Sequence, residues 1–197
     1  MGLGAIESIV MSIGSENFWD AAGVIVSSGV VSSLVYIYMY IVDALVPGDV
    51  KNKIVWWNEG LPGNRVFSEI KKDNKDKRFT TQKVLEKYEA VFKEIENKDA
   101  LERQEIENSA WYSAYQRNEK SAQVFVSNRD WLLCRDMCVM TLWIIIGSFL
   151  IFFIMKETMP CWLIIVFVIE LIGTWWAARV KSRRYVYNVI AKDVYKS

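Results

Sequence analysis

Histidine is absent from all 197 residues. That removes the commonest general base and the commonest zinc ligand, and with them most hydrolase and metalloenzyme chemistry. Cysteine is scarce: Cys134, Cys138 and Cys161 are the only three, and each lies in or beside an apolar run. Cys134 and Cys138 are four apart and share a helical face, where they read as small apolar filler; a redox or metal pair is the alternative. No secreted disulfide framework is implied. There is no glycine-rich phosphate loop, no Cys–His cluster and no nucleophile elbow. The carboxylates of the central segment fall on polar helix faces with lysines at i±4, which is solvation and helix support rather than an acid–base pair. The expectation is a chain that is not an enzyme and carries no cofactor or metal. With a net charge of +1, nothing overall draws it to nucleic acid.

What is present is segregated. Hydrophobic residues make up 52% and charged residues 24%, yet they fall in separate blocks, whereas a soluble domain interleaves them at helix or strand period. Three runs stand out. AAGVIVSSGVVSSLVYIYMYIV (residues 21–42) has no charge, and its apolar character continues past Asp43 to Val46. CVMTLWIIIGSFLIFFIM (138–155) has none either, and CWLIIVFVIELIGTWWAA (161–178) is broken only by Glu170. A membrane span needs roughly 17–25 apolar residues, so three transmembrane helices are expected. The first run is no cleavable signal peptide: no positive charge precedes it and no small-x-small site follows. MGLGAI also misses the myristoylation pattern, since Ile6 stands where Ser or Thr is required.

Basic residues set the expected orientation. Residues 1–20 hold no Lys or Arg, RVKSRR (179–184) directly follows the third run, and the KETMP loop between the second and third has one Lys. The expected division is an external segment (1–20), span one (21–46), a cytoplasmic helical domain (47–136) and span two (137–155). An external turn (156–160), span three (161–178) and a basic cytoplasmic tail (179–197) complete it. Such a chain sits in a bacterial inner membrane with its N-terminus outside and its C-terminus in the cytoplasm. Trp19, Trp162, Trp175 and Trp176 fall at span ends, where amphipathic rings collect.

SNRDWLLCRDM (127–137) leads into span two and reads as a membrane-interface collar, with Trp131 near the inner interface and Arg129, Asp130, Arg135 and Asp136 at headgroup level. Arg129 and Asp136 are seven apart and share a helical face. The alternative is a clamp on a neighbouring segment.

In the central segment, two Pro-Gly steps in VPGDVKNKIVWWNEGLPGNR (46–65) mark turns. The Trp56–Trp57 pair is expected on the membrane surface or on the helices that follow. KKDNKDKR (71–78) reads as a solvated loop. The spacing of Val84, Leu85, Tyr88, Val91, Phe92 and Ile95 predicts one amphipathic helix, capped by Thr80 or Thr81. DALE (99–102) has capping-box spacing and opens a more polar helix with an Ile106–Ala110–Ala114 seam and Trp111 and Tyr115 alongside. From about Lys120 a helix is expected to run unbroken into span two; a short strand at AQVFV (122–126) would have no partner. The fold class is therefore an all-α membrane protein with a cytoplasmic helical stalk or bundle.

Glu170 is the most informative residue, because an ionised carboxylate in mid-span costs several kcal/mol and is expected to be neutral, paired or in a wet cavity. Span one carries SSGVVSS, with Ser28 and Ser32, and Gly29 and Ser33, as small pairs four apart, the spacing that lets membrane helices approach. Three readings stay open: these groups satisfy Glu170 within one subunit; several subunits ring their Glu170 groups around a polar path; or the chain is a proton-coupled transporter. The last is weakened by the absence of repeats or broken helices.

WNEGLPGNR, the Tyr-bearing helix and SNRDWLLCRDM together resemble a group of short bacterial membrane proteins of unassigned function. That group carries a Gly-x-Pro-x-x-Arg element after its first membrane region, matched by Gly60, Pro62 and Arg65. A later Asn-x-x-aromatic-x-x-x-Arg-polar-aliphatic element is matched by Asn128, Trp131, Arg135, Asp136 and Met137. Gly63 stands where Thr is usual and Trp131 where Tyr is usual, and the likeness covers roughly residues 57–140. The layout is also similar to small membrane-spanning effectors of anti-phage defence, an analogy of architecture. It implies a homo-oligomer that permeabilises the membrane when a cytoplasmic sensor or partner triggers it. The reading from another class is a passive anchor that docks a soluble partner through Tyr88, Phe92 and Trp111.

Overall fold

The computed structural model describes residue 29 and residues 33–34, 36–57 and 59–195. The chain divides into two compact units, Met1–Leu45 and Val46–Ser197. In the first, the described part is helical and includes α1 (Tyr36–Leu45). Residues 21–28, 30–32 and 35 of the expected first span lie outside the described residues.

The second unit is all helix and turn among the described residues: α2 (Gly48–Trp56), a 3-10 turn (Pro62–Asn64), α3 (Val66–Lys72), α4 (Thr81–Lys87), α5 (Glu89–Ile95), α6 (Ala100–Asn118), α7 (Ala122–Met155) and α8 (Cys161–Val194). The expected caps form. Thr80 Oγ1 accepts from Lys83 N at 3.4 Å, and Asp99 Oδ1 accepts from Leu101 N at 2.9 Å and Glu102 N at 2.8 Å, each satisfying a helix-start donor.

The helices α7 and α8, 34 residues each, are long and apolar enough to cross a membrane. Only 22% of the most apolar window of α7, and 6% of that of α8, is buried inside the chain. A core helix of a soluble protein is mostly covered, so this exposed grease needs another solvent or another chain. The two helices run antiparallel through a short turn. Lys156 ends α7 in the left-handed region (φ 57°) and Glu157 N donates to Phe152 O at 3.0 Å, a Schellman-type close.

The core lies at the other end of the hairpin. Beyond its apolar segment α8 continues as an amphipathic helix that buries Ala178, Ser182, Tyr185, Val186, Val189, Ile190 and Asp193, one stripe at i, i+4, i+7, i+8 spacing. The shorter helices wrap around it. Phe67, fully buried, packs on Tyr88 at 4.6 Å and on Phe92 at 6.0 Å; withdrawing one such ring from water is worth about 2–3 kcal/mol.

Three sequence expectations change here. The residues read as a basic tail are the spine of the core, because Tyr185, Val186, Val189 and Ile190 carry a helical apolar period between the basic side chains. The single helix expected over the Val84–Ile95 stripe bends at Tyr88 (φ −111°, ψ 26°) into α4 and α5. The solvated loop expected at 71–78 gives its first two residues to α3 and is exposed or half-buried throughout. Its far end is anchored: the following Phe79 is buried and stacks on Tyr187, and Arg78 Nη1 donates to Asn188 Oδ1 at 2.6 Å.

Candidate functional site

The hairpin is ruled by a polar ladder. Gln123 Nε2 donates to Asn188 Oδ1 at 3.4 Å, Lys181 Nζ to Asp130 Oδ2 at 2.7 Å, and Thr141 Oγ1 to Glu170 Oε1 at 3.4 Å. Each step along α7 is matched by an equal step back along α8, seven residues and then eleven. Seven and eleven are close to two and three helical turns, so the rungs fall on one stripe of each helix. The last rung stands apart in an apolar setting. Glu170 is exposed on the outside of the hairpin, about 16 Å along the axis from the Lys181 rung at 1.5 Å per residue. Its partner Thr141 is buried, and its single hydroxyl hydrogen is shared with Met137 O, the nearer acceptor at 3.0 Å.

The Arg–Asp collar turns inward. Arg135 donates to Asp136 at 2.9 Å through Nε and to Asn52 Oδ1 at 3.1 Å, while Lys51 Nζ lies 3.6 Å from Asp136. Lys51 and Asn52 belong to α2, so Arg135 and Asp136 grip that helix. Trp131 is buried beneath the Arg135 guanidinium, 5.9 Å from its ring centroid. Arg129 remains exposed beside Asp130 at 3.7 Å and does not meet Asp136. The clamp geometry left open by the sequence is thus present at Arg135 and Asp136. The Lys181 ammonium holds the Asp130 carboxyl below its ordinary value.

The residues of the two motif elements have structural work. Gly60 sits at φ 70°, where a side chain is strained, and Pro62 opens the 3-10 turn. Gly63 passes under Trp111, where an added Cβ would lie 3.0 Å from the ring. Arg65 pairs with Glu59 at 3.2 Å and with Glu69 at 2.8 Å. Glu59 also meets Arg179, whose hydrogen bond is the chief reason its carboxyl is held low. Around the buried Trp56 ring stand the guanidiniums of Arg179 at 4.5 Å, Arg65 at 5.2 Å and Arg183 at 5.6 Å, each in cation–π range. Trp57 is 78% exposed. Of the four tryptophans expected at span ends, Trp162 and Trp176 are exposed. Trp175 turns inward, donating to Val55 O at 3.0 Å, and Trp19 lies outside the described residues.

The docking stripe expected of Tyr88, Phe92 and Trp111 is corrected. Tyr88 and Phe92 are buried, and Trp111 packs edge-on against Tyr185 at 5.5 Å and donates to Val186 O at 3.4 Å. The chain's own α3 and α8 pack on that face. Of the small-residue pairs in the first run, Ser28 and Ser32 lie outside the described residues. The Ser33 hydroxyl donates to Gly29 O at 2.8 Å, one turn back along the same helix.

Two buried carboxylates escaped the sequence reading because each looked like one more charge on a polar face. Glu107, 1% exposed, accepts from Phe67 N at 2.8 Å and Ser68 N at 3.1 Å, and also from the Ser68 hydroxyl, capping α3 from another helix. Burial pushes its carboxyl up against those hydrogen bonds. Asp193, equally buried, accepts from Tyr88 Oη at 2.7 Å, Asn118 Nδ2 at 2.7 Å, and Arg117 Nε at 3.0 Å and Nη2 at 2.9 Å. Burial works against its charge, and those donors more than compensate, holding it below the ordinary aspartate value.

Among the described residues no group of three or more acidic, cysteine or histidine side chains comes together to hold a metal, and Cys134, Cys138 and Cys161 are free thiols. Comparison of the chain with protein-family models, with curated proteins and with solved structures found no match.

Proposed function

We propose that this chain is a multi-pass protein of a bacterial inner membrane, its α2–α6 domain in the cytoplasm. There it acts as an oligomeric defence effector that perturbs or permeabilises the bilayer when triggered from the cytoplasmic side. The reading rests above all on Glu170. With the Lys181 rung at the inner interface, a distance of about 16 Å along α8 puts this carboxyl near the centre of a hydrocarbon layer ~30 Å thick. Its surroundings supply one weak partner, the Thr141 hydroxyl at 3.4 Å, and it is exposed on the hairpin surface. An acid there is costly against lipid and is expected to face protein or water. Further copies of the hairpin, each bringing its own Glu170, satisfy that demand and create a polar path between subunits that two helices cannot enclose alone.

The trigger reaches the path through a stiff lever. The helix α8 is continuous from the apolar Cys161 turn to Val194, and its far end is latched by Asp193 to Tyr88 at the α4–α5 bend and to α6. A sensor or partner that shifts the domain therefore moves the helix that carries Glu170. The adaptor alternative loses its proposed docking stripe, since Tyr88 and Phe92 are core residues.

The test is expression of the full chain in bacteria with membrane potential followed by a voltage-sensitive dye. Wild type is expected to depolarise cells, and Glu170→Gln, at matched membrane abundance, to reduce depolarisation by about tenfold, the effect of ~1.4 kcal/mol lost from one charged site. Undiminished depolarisation by Glu170→Gln, or a wild-type chain that leaves the potential intact with or without phage challenge, overturns the reading.

A further inference from the structure

The ladder between α7 and α8 has a missing rung. Three residues from the Asp130–Lys181 pair and four from the Gln123–Asn188 pair, the same stripe brings Ser127 opposite Arg184. Ser127 is too short to cross, and its hydroxyl bonds back to Val124 O at 3.0 Å. Among the described residues Arg184 has no ion pair or hydrogen bond, and it is exposed. The gap is a cleft of about 430 Å3 walled by these rungs. Its charged lining is Lys181, Arg184 and Asp130, so it carries a net positive charge, and Lys181 has two further N–H donors beyond the one given to Asp130.

We propose that this cleft holds the phosphate of an anionic phospholipid, with Arg184 as its fork-shaped donor and Lys181 as its second cation. A guanidinium offers paired N–H groups that match phosphate oxygens, and the unpaired state of Arg184 leaves that fork free. The inference rests on the membrane reading of α7 and α8 above. On that reading Arg184 lies six residues beyond Ala178, the last residue of the apolar run of α8, about 9 Å along the axis, and its long side chain reaches back to headgroup level. Lipid fits better than a free anion because the faces above the cleft are apolar and open. On α7 the stripe continues through exposed Leu133 and Met137. On α8 it continues through exposed Val180 to Gly173, which has no atom within 4 Å of an added Cβ. An acyl chain lies along that path. A choline headgroup is disfavoured, since it brings a third cation beside Lys181 and Arg184.

The full chain, purified in detergent and moved into mixed micelles doped with phosphatidylglycerol or phosphatidylcholine, tests this by native mass spectrometry. Phosphatidylglycerol is expected to be retained over phosphatidylcholine, and Arg184→Gln to lower that retention about tenfold, the loss of one charge-assisted contact. Ser127→Leu, which fills the cleft and keeps both cations, is expected to lower it as much. Equal retention of the two lipids, no effect of either variant, or displacement of the lipid by equimolar inorganic phosphate overturns the lipid site. A chain that stays dissolved without detergent overturns the membrane reading and the lipid occupant together; a detergent-requiring chain without lipid preference overturns the cleft alone.

Discussion

Replacing Asp193 with alanine removes the acceptor that joins the end of α8 to Tyr88 at the α4–α5 bend and to α6. Two of its donors are fixed and buried. The Tyr88 hydroxyl donates to it at 2.7 Å, and Asn118 Nδ2, which donates at 2.7 Å, keeps its bond to Ala114 O at 2.9 Å. A hydrogen bond to a charged group is worth ~1.5–3 kcal/mol. The Tyr88 loss counts in full and the Asn118 loss at the lower end. Arg117, whose side chain is 49% exposed, turns to water and adds less than ~1 kcal/mol. Relief of the carboxylate's own desolvation offsets part of the total, leaving roughly 3 kcal/mol. At 1.4 kcal/mol per tenfold, amides held by this latch lose about 100-fold of their protection. Hydrogen exchange read by mass spectrometry on the detergent-solubilised chain checks it. Peptides covering 112–119 and 186–195 are expected to exchange faster, while 142–155 and 161–172 stay unchanged. Asp193→Asn keeps one acceptor oxygen and is expected to fall between wild type and Asp193→Ala. The sign of the pH dependence follows from the lowered folded value. The latch is at full strength above the ordinary aspartate value of 3.8 and is lost as pH falls through the lower folded one, so exchange is flat from pH 7 to 5 once corrected for intrinsic rates. Unaltered protection at 186–195 in Asp193→Ala, or a uniform loss along the whole chain, refutes the assignment of a local latch.

Glu107 behaves in the opposite sense. Its folded pKa is raised by burial, so its contribution is full below the unfolded value of 4.5 and declines as pH rises through the folded one; Glu107→Gln should flatten that decline in thermal unfolding. Glu107→Ala strands the Phe67 and Ser68 amides and is expected to cost ~2 kcal/mol at pH 7, read as a lowered midpoint in the same melts. Gly63→Ala drives a methyl to 3.0 Å from the Trp111 ring, which Tyr185 holds edge-on at 5.5 Å and Tyr115 stacks at 6.0 Å. It is expected to cost about 1–2 kcal/mol, and unchanged stability would mean the ring yields freely.

Segregation of apolar and charged stretches was legible at once, because a run of eighteen uncharged residues such as 138–155 fits few soluble folds. The helical class, the Thr80 and Asp99 caps and the continuous entry into α7 followed from local pattern, since caps and period depend on neighbours within a turn or two. Tyr88 and Phe92 were legible as one buried stripe, but period tells which face is covered, not what covers it. Only the tertiary structure supplied α3 and α8 as the cover.

By itself, then, the sequence pointed to an all-helical chain with three apolar runs and a charged, amphipathic remainder; two of those runs stand as long apolar helices among the described residues. The fold decided the rest. It turned residues 179–194 from a basic tail into the spine of the core, picked Glu107 and Asp193 out of the described acidic residues for burial, and set Thr141 against Glu170. Those outcomes depend on partners 29 to 106 residues away in the chain. A carboxylate's neighbours within one turn cannot reveal whether a distant helix brings donors enough to offset its lost hydration.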